Sequence, residues 1–564
     1  MQILALPVVG VAAATCFASV SAFGQATHRV SVTAAGVQPV LDCEDHVAVS
    51  DGGSEVLFWT RAMNLGGPVP PRRSTVYLWQ ASGPSLEQIT TFGTISSEKV
   101  VARSISGDGR WVTYEEEFDV ATNETHRSYL VDRATGVVTS AESFFSLPSG
   151  SLTDFFYPIV SRSGSHLAFW GSGIDLPAGG SIRPNVYVVE LSTGVVRLAS
   201  SNIAGAPQNG LVSPSRNQVA LSDDGRWVAF VCTANNLVPL PQSLSGGVYR
   251  KDMLTGRVDL VSVHLSGLTV DGSPWGSVDI SSDGRFVAWQ SRASSLVEGD
   301  TNSSNDVFVR DMFLGETKRV SLGPGGAQQP GPSQLCGMSG DGRHIAFESS
   351  AGQPNQALQV FVHDRLLGST ALVSVSNTGA TANLHSRSVG RLSQDGRFVA
   401  FATDANNMDP SDTNNRADIY LRDRGPQSIG ISECGPAVAN STGAAAFIQA
   451  SGSESALENR LGLTVRDLPA YAQGYFIMGR DSGSVPQAGG SQGTLCLSNV
   501  IGRLGATLQS SGPTGLFEAR VMLDDLPANL GGAVLPGDTW RFQAWFRDSG
   551  GTSNFSDAVR VTFN

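Results

Sequence analysis

Charged residues make up only 16% of this chain, and none stands before Arg29. Blocks rich in Ala, Glu, Lys and Leu are scarce, which argues against a helical protein. Beyond the N-terminus no stretch approaches the roughly 20 apolar residues that a membrane-crossing helix needs. The chain also lacks a Cys-x-x-Cys pair, a His-Glu-x-x-His helix and a phosphate loop, and it has no Gly-x-Ser-x-Gly set as an elbow between a strand and a helix. Those absences remove the common zinc, nucleotide and α/β-hydrolase chemistries. "RDSGG" at 547–551 has the look of a serine-protease nucleophile but no histidine context around it. A net charge of −12 repels phosphate backbones and argues against nucleic acid as a partner.

What is present begins with "MQILALPVVGVAAATCFASVSAFGQA", an apolar run followed by small residues. It reads as a secretory signal over residues 1–26, with cleavage after Gly24, where Ala22 takes the minus-three position, or after Ala26. The mature protein is then exported to the periplasm, the cell surface or the medium. A lipoprotein reading through Cys16 meets a poor lipobox. Five cysteines follow the signal, an odd number that forbids complete pairing. Cys434 and Cys496 share the C-terminal segment and form the candidate disulfide, whereas Cys43, Cys232 and Cys336 lie in strand-like runs and read as buried thiols.

Val, Thr, Ser, Phe and Gly recur throughout, the composition of short strands and tight turns, so the class is all-β. "LSDDGRWVAF" at 221–230 returns as "ISSDGRFVAW" at 280–289 and "LSQDGRFVAF" at 392–401. Aligned on the turn glycine there are seven copies, at Gly53, Gly109, Gly164, Gly225, Gly284, Gly342 and Gly396, spaced 54 to 61 residues apart. A Ser-x-Asp-Gly-Arg turn enters an alternating strand, a second strand such as "VFVRD" (307–311) follows a variable loop, and a turn such as "STG" (192–194) opens a third. With the strand before each Asp-Gly turn, every unit is a four-stranded antiparallel sheet. Seven such units predict a seven-bladed β-propeller over residues 27–427.

The units resemble the TolB-type, WD-repeat-like propeller repeats of exported bacterial proteins, over about residues 28 to 425. Gly52 and Ser163 replace the turn Asp in the first and third copies. The seventh copy loses its outer strand after "IYLRDRGP", while "HRVSVTAAG" at 28–36 matches "KRVSLGPGG" at 318–326. The N-terminal strand, residues 29–33, is therefore expected to complete the seventh blade and clasp the ring. Residues 428–564 abandon the repeat and are similar to a small β domain at the C-terminal end of various exported bacterial proteins. Their length suits a β-sandwich with Trp540, Phe542 and Trp545 in its core.

Two loops carry oxygen ligands at alternating positions: Asp300, Asn302 and Asp306, then Asp412, Asn414 and Asp418. Such spacing suits Ca²⁺, although Asn and Asp also build these loops by bonding their own backbone. His363 stands where Arg310 and Arg422 occur in sister copies and reads as a surface variant. Convergent acid–base groups are scarce. The expected function is a non-catalytic, monomeric binding or scaffold protein that recognises a protein, a peptide or a cell-envelope glycan through its rim and channel, a role TolB resemblance also implies. The alternative is a propeller hydrolase or lyase with a metal or acidic site in the channel.

Overall fold

The computed structural model describes residues 25–564 apart from 45, 67–73, 84, 91–98, 121–122, 146–153, 173–182, 211–217, 240–245, 266–275, 324, 351, 353–355, 388–389, 391, 426–427 and 460. Nearly all of the signal reading lies outside these residues. The described chain is all-β and its repeat region is a β-propeller. Seven four-stranded antiparallel sheets follow one another, each in simple order from first strand to fourth. The second, for example, contains Lys99–Ile105, Trp111–Val120, Asn123–Asp132 and Val137–Ser140.

The turn motif is fully accounted for by local chemistry. In the second sheet the Ser106 hydroxyl donates to Asp108 (2.5 Å), and the same carboxylate accepts the Arg110 amide (3.0 Å). Ser106 Oγ in turn accepts the Trp111 amide at 2.9 Å, so three residues close one another's polar groups. The arginine has a distant partner, the aspartate that ends the third strand. Arg110–Asp132, Arg226–Asp252, Arg285–Asp311, Arg343–Asp364 and Arg397–Asp423 are ion pairs in the five sheets with the full motif. The first and third sheets carry Ser54 and Ser165 at the arginine position, and Gln80 and Glu190 at the strand end, so both partners are lost together. Directly opposed aromatics add a cross-strand stack in every sheet, from Tyr114–Tyr129 at 4.9 Å to Phe169–Tyr187 at 6.2 Å between centroids.

Burial decides what the ion pairs contribute. Arg343 and Asp364 are 9% and 8% exposed, whereas Arg226 is 40% exposed. Arg343→Met is expected to lower stability by about 2 kcal/mol, because it strands a buried carboxylate. Arg226→Met should give a much smaller loss in the same urea titration, since water screens its pair.

The circular order is set by the turn glycines. Gly284 (φ +73°) sits on the Trp227 ring of the preceding sheet, and a Cβ there would overlap it. Gly53 (φ +65°) sits in the same way on Phe398, which belongs to the seventh sheet. The first sheet thus follows the seventh as the fifth follows the fourth. Ala26–Arg29 pairs antiparallel with Asp418–Asp423 and supplies the fourth strand of the seventh sheet. The strand begins earlier than the expected 29–33: Val30 adds one further backbone bond to Ile419 (2.8 Å), and Ser31 then turns its hydroxyl onto Asp418.

Beyond residue 430 a five-stranded and a three-stranded sheet share a core that includes Leu463, Phe517, Trp540 and Phe542. Cys434 and Cys496 are joined in a disulfide, and Cys43, Cys232 and Cys336 are buried free thiols. Trp545 departs from expectation. The strand's alternation turns it to the opposite face, where it stacks on Tyr475 at 4.9 Å, with Arg503 and Arg547 over the outer faces of the two rings. His363 likewise is no surface variant: it is 4% exposed, its Nδ1 lies 3.0 Å from the Thr370 hydroxyl, and burial depresses its pKa to about 4.

The tail packs on the turn face of the propeller, over the fifth and sixth sheets. Arg365 pairs with Glu518 (2.7 Å), Arg466 with Asp341 (3.4 Å), and Phe313 meets Tyr471 at 6.2 Å. The repeat departs from itself at this place. Hairpins that read Ala-Thr-Gly, Ser-Thr-Gly and Leu-Thr-Gly elsewhere become Phe313-Leu314-Gly315 and Leu366-Leu367-Gly368 where the tail docks. No helix among the described residues is long and apolar enough to cross a membrane.

Candidate functional site

The residue at the second position of each Ser-x-Asp-Gly turn lies at the narrow end of the channel. Backbone bonds link these positions between sheets: Asp51 to Gly107 (2.9 Å), Gly107 to Arg162 (2.7 Å), Asp223 to Ser282 (3.0 Å) and Ser282 to Gly340 (2.8 Å). Arg162, from the third sheet, crosses the opening. Its guanidinium binds the Asp51 carboxylate of the first sheet and donates to the Leu392 carbonyl (2.5 Å) and the Met338 carbonyl (3.4 Å) of the seventh and sixth. The channel is therefore closed on the tail side. The cavity left inside, lined by Arg103, Arg162, Asp279 and Cys336 among others, measures only about 50 Å³. Ligand pockets run to about 300–1,000 Å³, so this cavity by itself is below the size of one.

A polar cluster stands on the second sheet, farther from the turns. Arg103 donates from Nε to Glu115 (2.9 Å) and from Nη1 to His46 Nε2 (3.1 Å), and stacks on Tyr157 at 4.4 Å. Glu115, fully buried, also lies 2.7 Å from His126 Nδ1 and accepts the Tyr157 amide at 2.8 Å. Burial alone would raise the Glu115 carboxyl, but the Arg103 charge and the His126 contact outweigh it and hold the pKa at about 2. Burial alone would lower His126, yet the Glu115 carboxylate beside it raises it. Glu117 completes the cluster, with Lys99 at 2.7 Å. Glu115, Glu117 and His126 are, among the described residues, the group of at least three His, Cys, Asp or Glu side chains close enough to share a metal ion.

Glu115→Gln is expected to lower stability at pH 7 by about 2 kcal/mol, since Arg103 and His126 lose a buried counter-charge. The carboxyl's folded pKa lies below its unfolded value of 4.5, so its contribution is complete above that pH and is lost as pH falls through about 2. Melting curves of the two proteins should therefore converge between those limits; a constant gap would contradict the pairing.

The sequence singled out other residues, and the structure brings each Asp/Asn set together around an arginine. Asp300 and Asp306 lie 3.6 and 4.0 Å from Arg319, and the Gln328 amide donates to both (2.8 and 3.1 Å). Asp412 and Asp418 lie 3.4 and 3.6 Å from Arg29, with Asp409 at 3.6 Å. Arg29 and Arg319 are the equivalent residues of "HRVSV" and "KRVSL", so the repeated fourth strand carries a cation into each loop. Asn302 and Asn414 serve the backbone instead, donating to Gln329 O (2.9 Å) and Pro39 O (3.1 Å) and accepting the Ser304 and Arg416 amides. Burial lifts the Asp418 carboxyl to about 6, against the opposing pull of the Ser31 hydroxyl.

Sequence reasoning passed over Arg103 and Glu115, although a signal existed. Six residues before the turn glycine, sister copies carry Val47, Pro158, Val219, Val278, Cys336 and Gly390; the second copy alone carries a charge there.

No family model matches the chain, and no curated protein matches it. Solved structures similar to it include TolB from Acinetobacter baumannii, at 13% identity, covering 64% of this chain and 78% of that one with a TM-score of 0.32. An oligogalacturonate lyase in complex with manganese is 13% identical, over 72% of this chain and 96% of that one, with a TM-score of 0.40. The β-propeller domain of the Trilobed protease from Pyrococcus furiosus is 9% identical, over 67% and 94%, with a TM-score of 0.40. The propeller described above rests on this chain's own sheets and their closure.

Proposed function

We propose that this chain is an exported, non-catalytic binding or scaffold protein of TolB type, recognising a protein, a peptide or a cell-envelope glycan through its rim and the open end of its channel. The observation that carries this reading is the state of the channel: Arg162 spans one end, the interior holds about 50 Å³, and Arg103, Glu115 and His126 are engaged with one another. Such a network offers a shaped surface rather than an open base–nucleophile pair. On this reading the seven sheets are the blades of one closed ring over residues 27–427, and residues 428–564 form a β-sandwich-like accessory domain. Cleavage after Gly24 rather than Ala26 is favoured, because Ala26 pairs with Asp423 in the closing strand. The protein acts as a monomer in the periplasm, at the cell surface or in the medium, without nucleic acid. The Asp300 and Asp412 loops are read as arginine-closed, with Ca²⁺ a dispensable addition.

The second reading, a metal-dependent hydrolase or lyase, is favoured by one feature, the Glu115–Glu117–His126 cluster. Titration calorimetry with Mn²⁺, Zn²⁺ and Ca²⁺ on the mature protein separates the two. The binding reading expects no stoichiometric heat that Glu115→Gln or His126→Ala abolishes. Tight binding of one ion lost in both variants would shift the assignment to an enzyme.

A further inference from the structure

Two sizeable spaces lie between the tail and the turn face, away from the channel. One, of about 570 Å³, is bounded by the outermost strands of three separate sheets. Glu316–Arg319 is the outer strand of the fifth propeller sheet, Phe517–Val521 the end of the three-stranded tail sheet, and Thr494–Ser510 the end of the five-stranded one. Side chains alternate across a strand, so a strand that shows only one face lines a cavity with every second residue. Here four consecutive residues, Phe517 to Arg520, and three more, Leu508 to Ser510, line the space. The strand edges, with their hydrogen-bonding backbone, therefore face it.

The charge of the space is specific. Four cations, Arg285, Lys318, Arg365 and Arg520, meet three carboxylates, Asp311, Glu316 and Glu518. Arg285 is held by Asp311, and Nη1 of Arg365 by Glu518. That leaves Arg520 with no ion pair among the described residues, and Nη2 of Arg365 buried without a hydrogen-bond partner. An orphan donor beside an unpaired guanidinium, in a space lined by strand edges, calls for an acceptor-bearing extended chain.

We propose that the cleft between the tail domain and the fifth propeller sheet binds an extended acidic peptide, which adds as a strand to Phe517–Val521 and places a carboxylate between Arg365 and Arg520. The backbone supplies the pairing and the two arginines select the charge. None of these residues belongs to the channel cluster, so the site stands or falls independently of recognition at the channel mouth.

Fluorescence anisotropy of a labelled hexapeptide of alternating Thr and Glu, titrated with the full mature protein, tests this. The protein's net charge of −12 disfavours non-specific capture of an acidic probe. Saturable binding is expected, weakened at least about tenfold by the exposed change Arg520→Glu and unchanged by Arg110→Met, a half-exposed arginine of the second sheet. Amide exchange should slow at Phe517–Val521 when the peptide is bound. Absence of binding, binding indifferent to Arg520→Glu, or binding lost equally with Arg110→Met would overturn the proposal. So would polygalacturonate binding at the cleft in the peptide's place, which would make it a glycan site.

Discussion

Removal of residues 25–33 from a chain that starts at Gln25 is expected to lower its stability by on the order of 5 kcal/mol and to open the seventh sheet to proteolysis. Val30 is fully buried, and four residue pairs join Ala26–Arg29 to the neighbouring strand. Arg422, 7% exposed, would lose Thr27 and Gln25, its two side-chain partners at 2.9 Å. Thr27 also reaches the chain after the sixth sheet, through Asn377 (2.6 Å) and the Val375 carbonyl (2.7 Å), so the strand ties two sheets together. A synthetic peptide of residues 25–33 should restore the urea midpoint when added in trans. An unchanged midpoint in the truncated chain would mean that the ring is held shut by its other contacts alone. The strand also removes an open edge, and the truncated chain should aggregate more readily for that reason.

The second large effect is expected at Arg162. Arg162→Met should lower stability by about 4 kcal/mol, because it leaves the Leu392 and Met338 carbonyls and the Asp51 carboxylate without their shared donor. The contact with Leu392 spans 230 residues of chain, and the side chain is 7% exposed. Methionine fills similar space and isolates the loss of hydrogen bonding from the loss of packing. Arg162→Lys should recover part of the loss, since an ammonium can reach one acceptor but cannot span three. Comparable melting temperatures for all three proteins would show that water replaces the guanidinium, and that the channel is open at both ends.

Much of the architecture was legible in the chain because its causes are local. A turn such as Ser281-Ser282-Asp283-Gly284 closes its own polar groups, and an apolar run such as "FVAW", buried on both faces, declares an inner strand of a packed sheet. The closing strand was legible because "HRVSV" repeats "KRVSL", and only its start, at Ala26 rather than Arg29, needed the register. His363 reads as a surface residue because Arg310 and Arg422 stand at its position, yet that position is covered by the fourth strand: Arg422 is itself 7% exposed, its guanidinium bonded to Thr27 and Gln25, and the imidazole lies against Thr370 in the same way.

The sites were legible only in part. Asp300 and Asp306 stand together, but the cation in their midst comes from the next strand of the sheet, and for Asp412 and Asp418 from the far end of the chain, while Asn302 bonds the backbone. Arg103 and Glu115 are twelve positions apart, and of the two only Arg103 announces itself as a departure from the repeat, since Glu348 stands at the Glu115 position of the sixth copy. The sequence by itself determined the all-β class, the repeated four-stranded sheet and its closing strand, since each follows from contiguous pattern or from matching of repeats. Only the tertiary structure decided that Arg162 spans the channel end, that arginines occupy the Asp/Asn loops, and that the outer strands of three sheets meet in a cleft beneath the tail. Those features depend on where ring closure and domain docking place residues hundreds of positions apart, and no local periodicity encodes that distance.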